Sequence, residues 1–175
     1  MIELLILYVL SSKETTMYAI QKNILESFGV YTKPSFGAVK PALVRLEKEN
    51  FIRSRKAMSD GGKLSCFYSI TQSGREELKK LILEKISSNP IQFNSTCAIK
   101  LSCASYLSSE EREKLFEQLK NMAQQHKFSA QNILESQKSL SFYQRIILDN
   151  SIVEYKNLIT LIDNLEKENK QNSNL

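Results

Sequence analysis

Apolar positions repeat with helical spacing along most of this chain, and the period shifts to that of strands in one short interval. Ile2, Leu5, Ile6, Val9 and Leu10 fall on one side of a first helix over residues 2–12. Lys13-Glu14 interrupts the pattern. Thr15 or Thr16 can accept a backbone N–H as N-cap of a second helix, whose inward positions are Met17, Ile20, Ile24, Leu25 and Phe28. Gly29 then offers the left-handed turn that ends many helices. Lys33-Pro34-Ser35 is a breaker followed by a capping residue. After it Phe36, Val39, Leu43 and Leu46 share one face of a third helix. Its opposite face carries Gly37, Pro41, Val44, Arg45 and Lys48, with Lys40 on the flank. Pro41 is placed in the first turns, where its missing N–H costs least.

After Glu49-Asn50 the spacing changes. Residues 51–56 and Leu64–Ile70 read as two strands, and Ser59-Asp60-Gly61-Gly62-Lys63 supplies residues that tolerate positive φ between them. This is a β-hairpin with a long tip. Thr71 caps a fourth helix from Gln72 to about Ile86, with Leu78, Leu81, Ile82 and Leu83 apolar. Ser87 to Pro90 breaks the periodicity and marks a boundary. A short helix is predicted at about 93–106. Ser108 or Ser109, followed by Glu110-Glu111, starts a long helix to about Lys138, with Leu115, Leu119, Met122, His126 and Ile133 as its inner stripe. A last helix spans about 142–167. Its apolar face comprises Leu148, Ile152, Tyr155, Leu158, Ile159, Ile162 and Leu165. The polar end of the sequence, from Asn169, is expected to be disordered.

Composition sharpens this division. All five glycines and two of the three prolines lie within the first 74 of 175 residues, so turns belong to the front and the back is helical. Residues 1–85 hold 14 Lys/Arg against 9 Asp/Glu, whereas residues 86–175 hold 10 against 10. The whole net charge of +5 therefore sits in the glycine-bearing half, and Lys33–Lys63 alone carries eight basic and three acidic residues. A compact basic stretch beside a neutral one implies an anionic partner for the first half, nucleic acid above all. The longest apolar run, Leu4 to Leu10, is far short of the ~20 residues that span a bilayer. Glu3 stands where a signal peptide would be basic. Together with three widely spaced cysteines, Cys66, Cys97 and Cys103, this fits reduced thiols in a cytoplasmic protein.

Catalytic chemistry has little to build on. The lone histidine, His126, lies within an apolar stripe and reads as a packed side chain. Cys97 and Cys103 are six residues apart, about 240° around a helix, and cannot chelate one metal from that element. Gly61-Gly62-Lys63 sits in a hairpin, not in the strand-to-helix turn of a phosphate loop. Catalytic residues, a metal site and a cofactor are not expected. Three helices followed by a two-stranded hairpin form instead the winged helix-turn-helix arrangement, in which the third helix enters a major groove and the wing rests on the flanking backbone. Ser35, Gly37, Lys40, Arg45 and Lys48 suit the outer face of such a helix. Arg53, Arg55, Lys56 and Lys63 suit the wing, although Arg53 or Lys48 taken singly reads equally as solvated surface.

The motifs become specific at Met17-Tyr18-Ala19-Ile20, at the run Ser35-Phe36-Gly37-Ala38-Val39-Lys40-Pro41-Ala42-Leu43-Val44-Arg45-Leu46-Glu47, and at Tyr68-Ser69-Ile70-Thr71-Gln72-Ser73-Gly74. Residues 2–86 with these motifs resemble the PadR family of bacterial transcriptional regulators. That family opens its second helix with Gly-Tyr, carries a Ser-x-Gly-x-x-Tyr-Pro-x-Leu-x-x-Leu-Glu recognition helix, and ends its wing with Tyr-x-Leu-Thr-x-x-Gly. Two positions depart from the pattern: Met17 replaces the usual glycine, and Lys40 the usual tyrosine on the DNA-facing helix. A charge in place of a stacking side chain favours phosphate or guanine acceptors, so base preference does not carry over from relatives.

The expected fold is thus mainly α. A winged helix-turn-helix domain over residues 1–86 has three helices, a two-stranded β-hairpin wing and a linking helix. An all-helical dimerisation domain over 87–168 and a disordered tail over 169–175 follow it. The expected function is sequence-specific binding of double-stranded DNA by a homodimeric transcriptional regulator, a repressor on a pseudo-palindromic operator. Groove and backbone contacts are assigned to Tyr18, Lys22, Ser35, Gly37, Lys40, Arg45, Lys56 and Lys63. The dimer interface is assigned to Leu148, Ile152, Tyr155, Ile159 and Ile162, because two or three helices bury so wide a face poorly by themselves; the alternative is that this face packs back onto the N-terminal domain of its own chain. The resemblance further implies release by a small aromatic or lipophilic effector bound between the winged domain and the helical half; Phe93, Tyr106, Phe116 and Phe128 are candidate lining residues, although each reads more readily as ordinary core. The alternative is a winged-helix protein–protein interaction module that does not read DNA sequence.

Overall fold

The computed structural model describes residues 1–58 and 62–172. Gly61, expected at the hairpin tip, and residues 173–175 of the expected tail lie outside the described residues. The described elements run α1 (Ile2–Ser12), β1 (Thr15–Thr16), α2 (Met17–Phe28), α3 (Phe36–Lys48), β2 (Ile52–Met58), β3 (Leu64–Ile70), α4 (Gln72–Leu83), α5 (Pro90–Ser102), a 3-10 turn at Ala104–Tyr106, α6 (Ser109–Ser136) and α7 (Phe142–Asn172). They divide into two compact units. The first comprises Met1–Ile86 with Asn94–Tyr106, and the second comprises Ser87–Phe93 with Leu107–Leu175. The segment 94–106, which the sequence pattern groups with the later helices, therefore belongs with the winged part. Its buried Cys97, Ile99 and Cys103 are apolar surface of that unit.

In the first unit α1 is the central element. Leu4, Leu5, Ile6 and Leu7 are all at most 2% exposed, so the helix is covered on every side instead of along one stripe. Ile20, Ile24 and Phe28 from α2, Val39, Ala42, Leu43 and Leu46 from α3, and Leu78 and Ile82 from α4 complete the core. Two positions assigned inward by spacing face outward: Leu25 is 38% exposed and Phe36 is 42% exposed. Each lies at the margin of its helix's apolar arc, where spacing alone does not decide burial. Lys100 is buried, and its Nζ donates to the Glu84 carbonyl at the end of α4; burial pulls this amine down to about 8.

The sheet has three antiparallel strands in the order β1-β3-β2. The hairpin register pairs Ile52 with Ile70, Ser54 with Tyr68, Lys56 with Cys66 and Met58 with Leu64. The third strand, β1, is only two residues long, pairing Thr15 with Tyr68 and Thr16 with Phe67. Two residues are too few to show a period of two, so the sequence pattern did not reveal it. Thr16 also caps α2 by accepting the N–H of Ala19.

The second unit is built on an antiparallel pair, α6 and α7. Arg112 donates to Asn169, Lys120 bridges Asp163 and Glu166 at 2.6 and 2.9 Å, His126 stacks on Tyr155, and Arg145 donates to the Leu134 and Gln137 carbonyls. Helix α6 starts in a capping box: the Ser108 hydroxyl accepts the Glu111 N–H, and the Glu111 carboxylate accepts the Ser108 N–H. Of its expected inner stripe, Leu115 and Leu119 are fully buried, Met122 and His126 are half-buried, and Ile133 is 45% exposed. Helix α7 continues past its expected end near Lys167 to Asn172, with Asn169 buried on Arg112 and the Ser109 carbonyl. Residues 169–172 of the expected disordered tail are thus helical.

Candidate nucleic-acid interface

Helix α3 has two unlike faces. Val39, Ala42, Leu43 and Leu46 are buried, while Ser35, Gly37, Lys40, Pro41, Val44 and Lys48 are exposed. Ser35 is the N-cap but makes no side-chain capping bond, so its hydroxyl is available at the helix start. Pro41 lies within the helix and supplies no N–H to the Gly37 carbonyl one turn earlier. Gly37 has only the Ser35 hydroxyl near its missing Cβ, at 3.5 Å, so it leaves open space on the outer surface.

The end of α3 is fixed by a left-handed turn that falls on Asn50 (φ 60°). The N–H of Asn50 returns to the Glu47 carbonyl and that of Phe51 to the Leu46 carbonyl, both within 3.0 Å, which is the Schellman arrangement. Gly29, expected to adopt that conformation after α2, has φ −63° instead; it is needed because a Cβ there would collide with the Leu25 carbonyl oxygen. The turn after α3 is stitched to the start of α4. The Thr71 hydroxyl contacts the Asn50 and Phe51 carbonyls and accepts the Gly74 N–H, and Ser73 donates to Asn50. A Cβ on Gly74 would strike the Phe51 carbonyl oxygen. The base of the wing is thereby locked to the helix that precedes it.

Alternation along β2 separates the wing's cations. Ser54 and Lys56 share one face, and the Ser54 hydroxyl donates to Glu47 of α3 at 2.5 Å, so Lys56 lies on the α3 side of the sheet. Arg53 and Arg55 point to the other face. Arg55 donates two bonds to Glu14, at 2.8 and 2.5 Å, and stands 5.5 Å from the Phe67 ring centre. The Arg55 bond holds the Glu14 carboxyl below its ordinary range. Arg45 is likewise engaged: its Nε donates to Glu3 of α1 at 2.8 Å. It is exposed, yet it is turned toward α1 and braces α3 there. Lys22 is exposed and faces Glu26 one turn along at 3.7 Å, a solvent-screened pair. Lys40 and Lys56 have no ion-pair partner among the described residues, and Lys63 is exposed beside Gly62, whose φ is +72°. Tyr18 is 67% exposed and stacked against Phe36.

The residues assigned to a dimer interface are mostly covered within their own chain. Ile152, Tyr155 and Ile162 are 6%, 8% and 0% exposed, and Leu148 and Ile159 are half-buried. The uncovered apolar side chains of α7 are different ones: Phe142, Tyr143, Ile146, Ile147, Val153 and Leu161, each at least 50% exposed. Of the candidate effector residues, Phe93 packs on His126 at 4.8 Å and on Tyr155 at 6.3 Å between ring centres. Phe116 is buried in the same unit, Phe128 is 63% exposed, and Tyr106 belongs to the first unit. Burial pushes the Cys97 and Cys103 thiols up to about 12, which leaves them inert. Among the described residues no helix is long and apolar enough to cross a membrane.

The model of the transcriptional regulator PadR-like family matches residues 6–80, from within α1 into α4. Among curated proteins no sequence matches the chain. Solved structures similar to it include Bacillus subtilis PadR in complex with operator DNA, with 20% identity over 95% of this chain and 96% of that one at a TM-score of 0.46. Another is a PadR family transcription regulator from Clostridium difficile, with 29% identity over 46% of this chain and 81% of that one at a TM-score of 0.41. The same Bacillus subtilis protein in complex with p-coumaric acid gives 20% identity over 96% and 94% of the two chains at 0.39. Residues 6–80 of this chain, the three helices with their hairpin, are a PadR-like transcriptional regulator family domain.

Proposed function

We propose that the chain is a cytoplasmic, homodimeric repressor that reads double-stranded DNA through α3 and grips the flanking backbone through the wing. The observation that carries this reading is the outer face of α3. It combines a free cap hydroxyl (Ser35), a position without a side chain (Gly37) and an unpaired cation (Lys40) on a helix whose other face is fully buried. Small residues let the helix approach base edges, and the cation suits phosphate or guanine acceptors. Lys56 and Lys63 supply wing contacts to phosphate, with Tyr18 and Lys22 on α2 as further backbone contacts. Arg45 has a smaller part than its position suggests, because Glu3 already holds it.

The dimer in this reading forms through the outer face of α7 and not through the Leu148–Ile162 face. Ile146, Val153 and Leu161 lie along that outer face, and Tyr143 and Ile147 border an apolar groove of about 390 Å³ shared with Leu140, Gln144 and Leu148. An apolar strip left exposed among the described residues suits the same strip on a second copy. Two such copies place recognition helices on half-sites one DNA turn, about 34 Å, apart. Release by a small aromatic or lipophilic effector belongs to the same proposal. Its support is the Phe93–His126–Tyr155 cluster, where His126 Nε2 is buried with no hydrogen-bond partner among the described residues.

A binding titration against duplex DNA at increasing salt tests the reading. Six to eight neutralised phosphates per dimer give a slope of log K against log salt of roughly −5 to −7. A flat titration would overturn it. Small aromatic compounds added to the complex at fixed salt test the effector, with dissociation as the expected result.

A further inference from the structure

One exposed apolar feature of the first unit has no use in its core. Phe36 opens α3 and is 42% exposed, and Tyr18, the second residue of α2, is 67% exposed. Their rings lie 6.2 Å apart at an interplanar angle of 19°, a stacked pair that forms a flat ledge. The ledge is held from behind. Thr16 caps α2 two residues before Tyr18, and the Gln21 side-chain amide donates to the Pro34 carbonyl at 3.0 Å, tying α2 to the turn that leads into α3. On α3, positions four apart share a face, so Phe36, Lys40 and Val44 form a strip of apolar, cationic and apolar side chains. All three are exposed. An anionic partner that also offers an apolar group is needed to cover such a strip. The major-groove edge of DNA has one such group, the C5-methyl of thymine.

We propose that Phe36 is a specificity-determining residue that contacts a thymine methyl in the major groove, with Tyr18 stacked behind it as a positioning residue. Lys40, one turn along, then faces the neighbouring guanine or phosphate. This inference rests on the reading of α3 as the groove helix. Stacking fixes the Phe36 ring before DNA arrives, so the contact gains selectivity without ordering a loose side chain.

The full-length chain is first used to enrich duplexes from a random-sequence library. Each thymine of the enriched duplex is then replaced by deoxyuridine, which removes the methyl and leaves base pairing intact. Replacement at one or two positions per half-site is expected to weaken binding about 3- to 10-fold, the effect of withdrawing one buried methyl. Phe36→Ala should bind the thymine and deoxyuridine duplexes equally, and Tyr18→Ala should shrink the difference without abolishing it. If no deoxyuridine replacement affects the unmodified chain, or if Phe36→Ala keeps the same penalty, the ledge is not a methyl reader although α3 still reads DNA. If the unmodified chain enriches no sequence at all, the groove-helix reading falls and the ledge falls with it.

Discussion

Helices α3 and α7 each bury one face and expose the other, but what they leave uncovered differs. The exposed side of α3 is mostly small, polar and basic, with Phe36 and Val44 as its apolar members, and water covers most of it at little cost. The exposed side of α7 carries Ile146, Val153 and Leu161, each 50% exposed, together with Tyr143 and Ile147. Leaving such a strip in water forfeits roughly 25 cal/mol for each Å² of apolar surface. The first surface is stable alone and waits for a charged partner; the second gains stability only from an apolar one. In the proposed reading the first surface binds and releases DNA, and the second holds two copies together.

That contrast can be broken most severely at the inner faces. Ile162→Asp places a carboxylate where no water reaches and should cost about 4 kcal/mol or more, read as collapse of the helical unit in thermal unfolding. Val153→Asp on the opposite face should leave the chain's own stability within about 0.5 kcal/mol while sedimentation shows the dimer dissociating at least roughly tenfold more readily. Exchanged effects of the two substitutions would mean that the faces have been assigned the wrong way round, and equal effects that they do not differ in role.

The same pairing applies to α3 on a smaller scale. Leu43→Ala should lower stability by about 2–5 kcal/mol through the cavity it leaves. Lys40→Ala should leave stability almost unchanged yet cost about 1–3 kcal/mol of DNA affinity and alter base preference. Lys63→Ala should weaken all sequences alike and reduce the salt slope by about 1, measured by titration on enriched and random duplexes. The mildest expected effect concerns His126. Burial holds its imidazole below the ordinary histidine value, so folding disfavours its protonation. Its contribution to stability is complete above about pH 6.5, where the unfolded chain is also neutral, and declines as pH falls toward the lower folded value. Denaturant unfolding of His126→Gln should lose that acid slope.

Much of this architecture was legible in the order of residues. Helical spacing marked the seven helices of the described residues, although α5 runs Pro90–Ser102 where about 93–106 is expected, and the change of period at Phe51 placed the wing. Ser108 or Ser109 with Glu110-Glu111 marked the start of α6 to within one residue, and the capping box falls on Ser108. What spacing could not supply was the assignment of positions at the edge of an apolar arc. Phe36, Leu25 and Ile133 sit there, and a neighbouring element decides whether each is covered. Nor could it separate exposed cations into engaged and unengaged. Arg45 and Arg55 are held by Glu3 and Glu14, residues 42 and 41 positions away, whereas Lys40 and Lys56 have no such partner among the described residues.

Local rules act over three to five residues, so the sequence by itself determined the helices, the hairpin and the basic character of the first half. The tertiary structure alone decided which of two apolar faces of α7 its own chain would cover, that segment 94–106 joins the winged unit, and that two threonines add a third strand. Each of those outcomes depends on surfaces far apart in the chain meeting with complementary shape, and periodicity along one element carries no record of its neighbour.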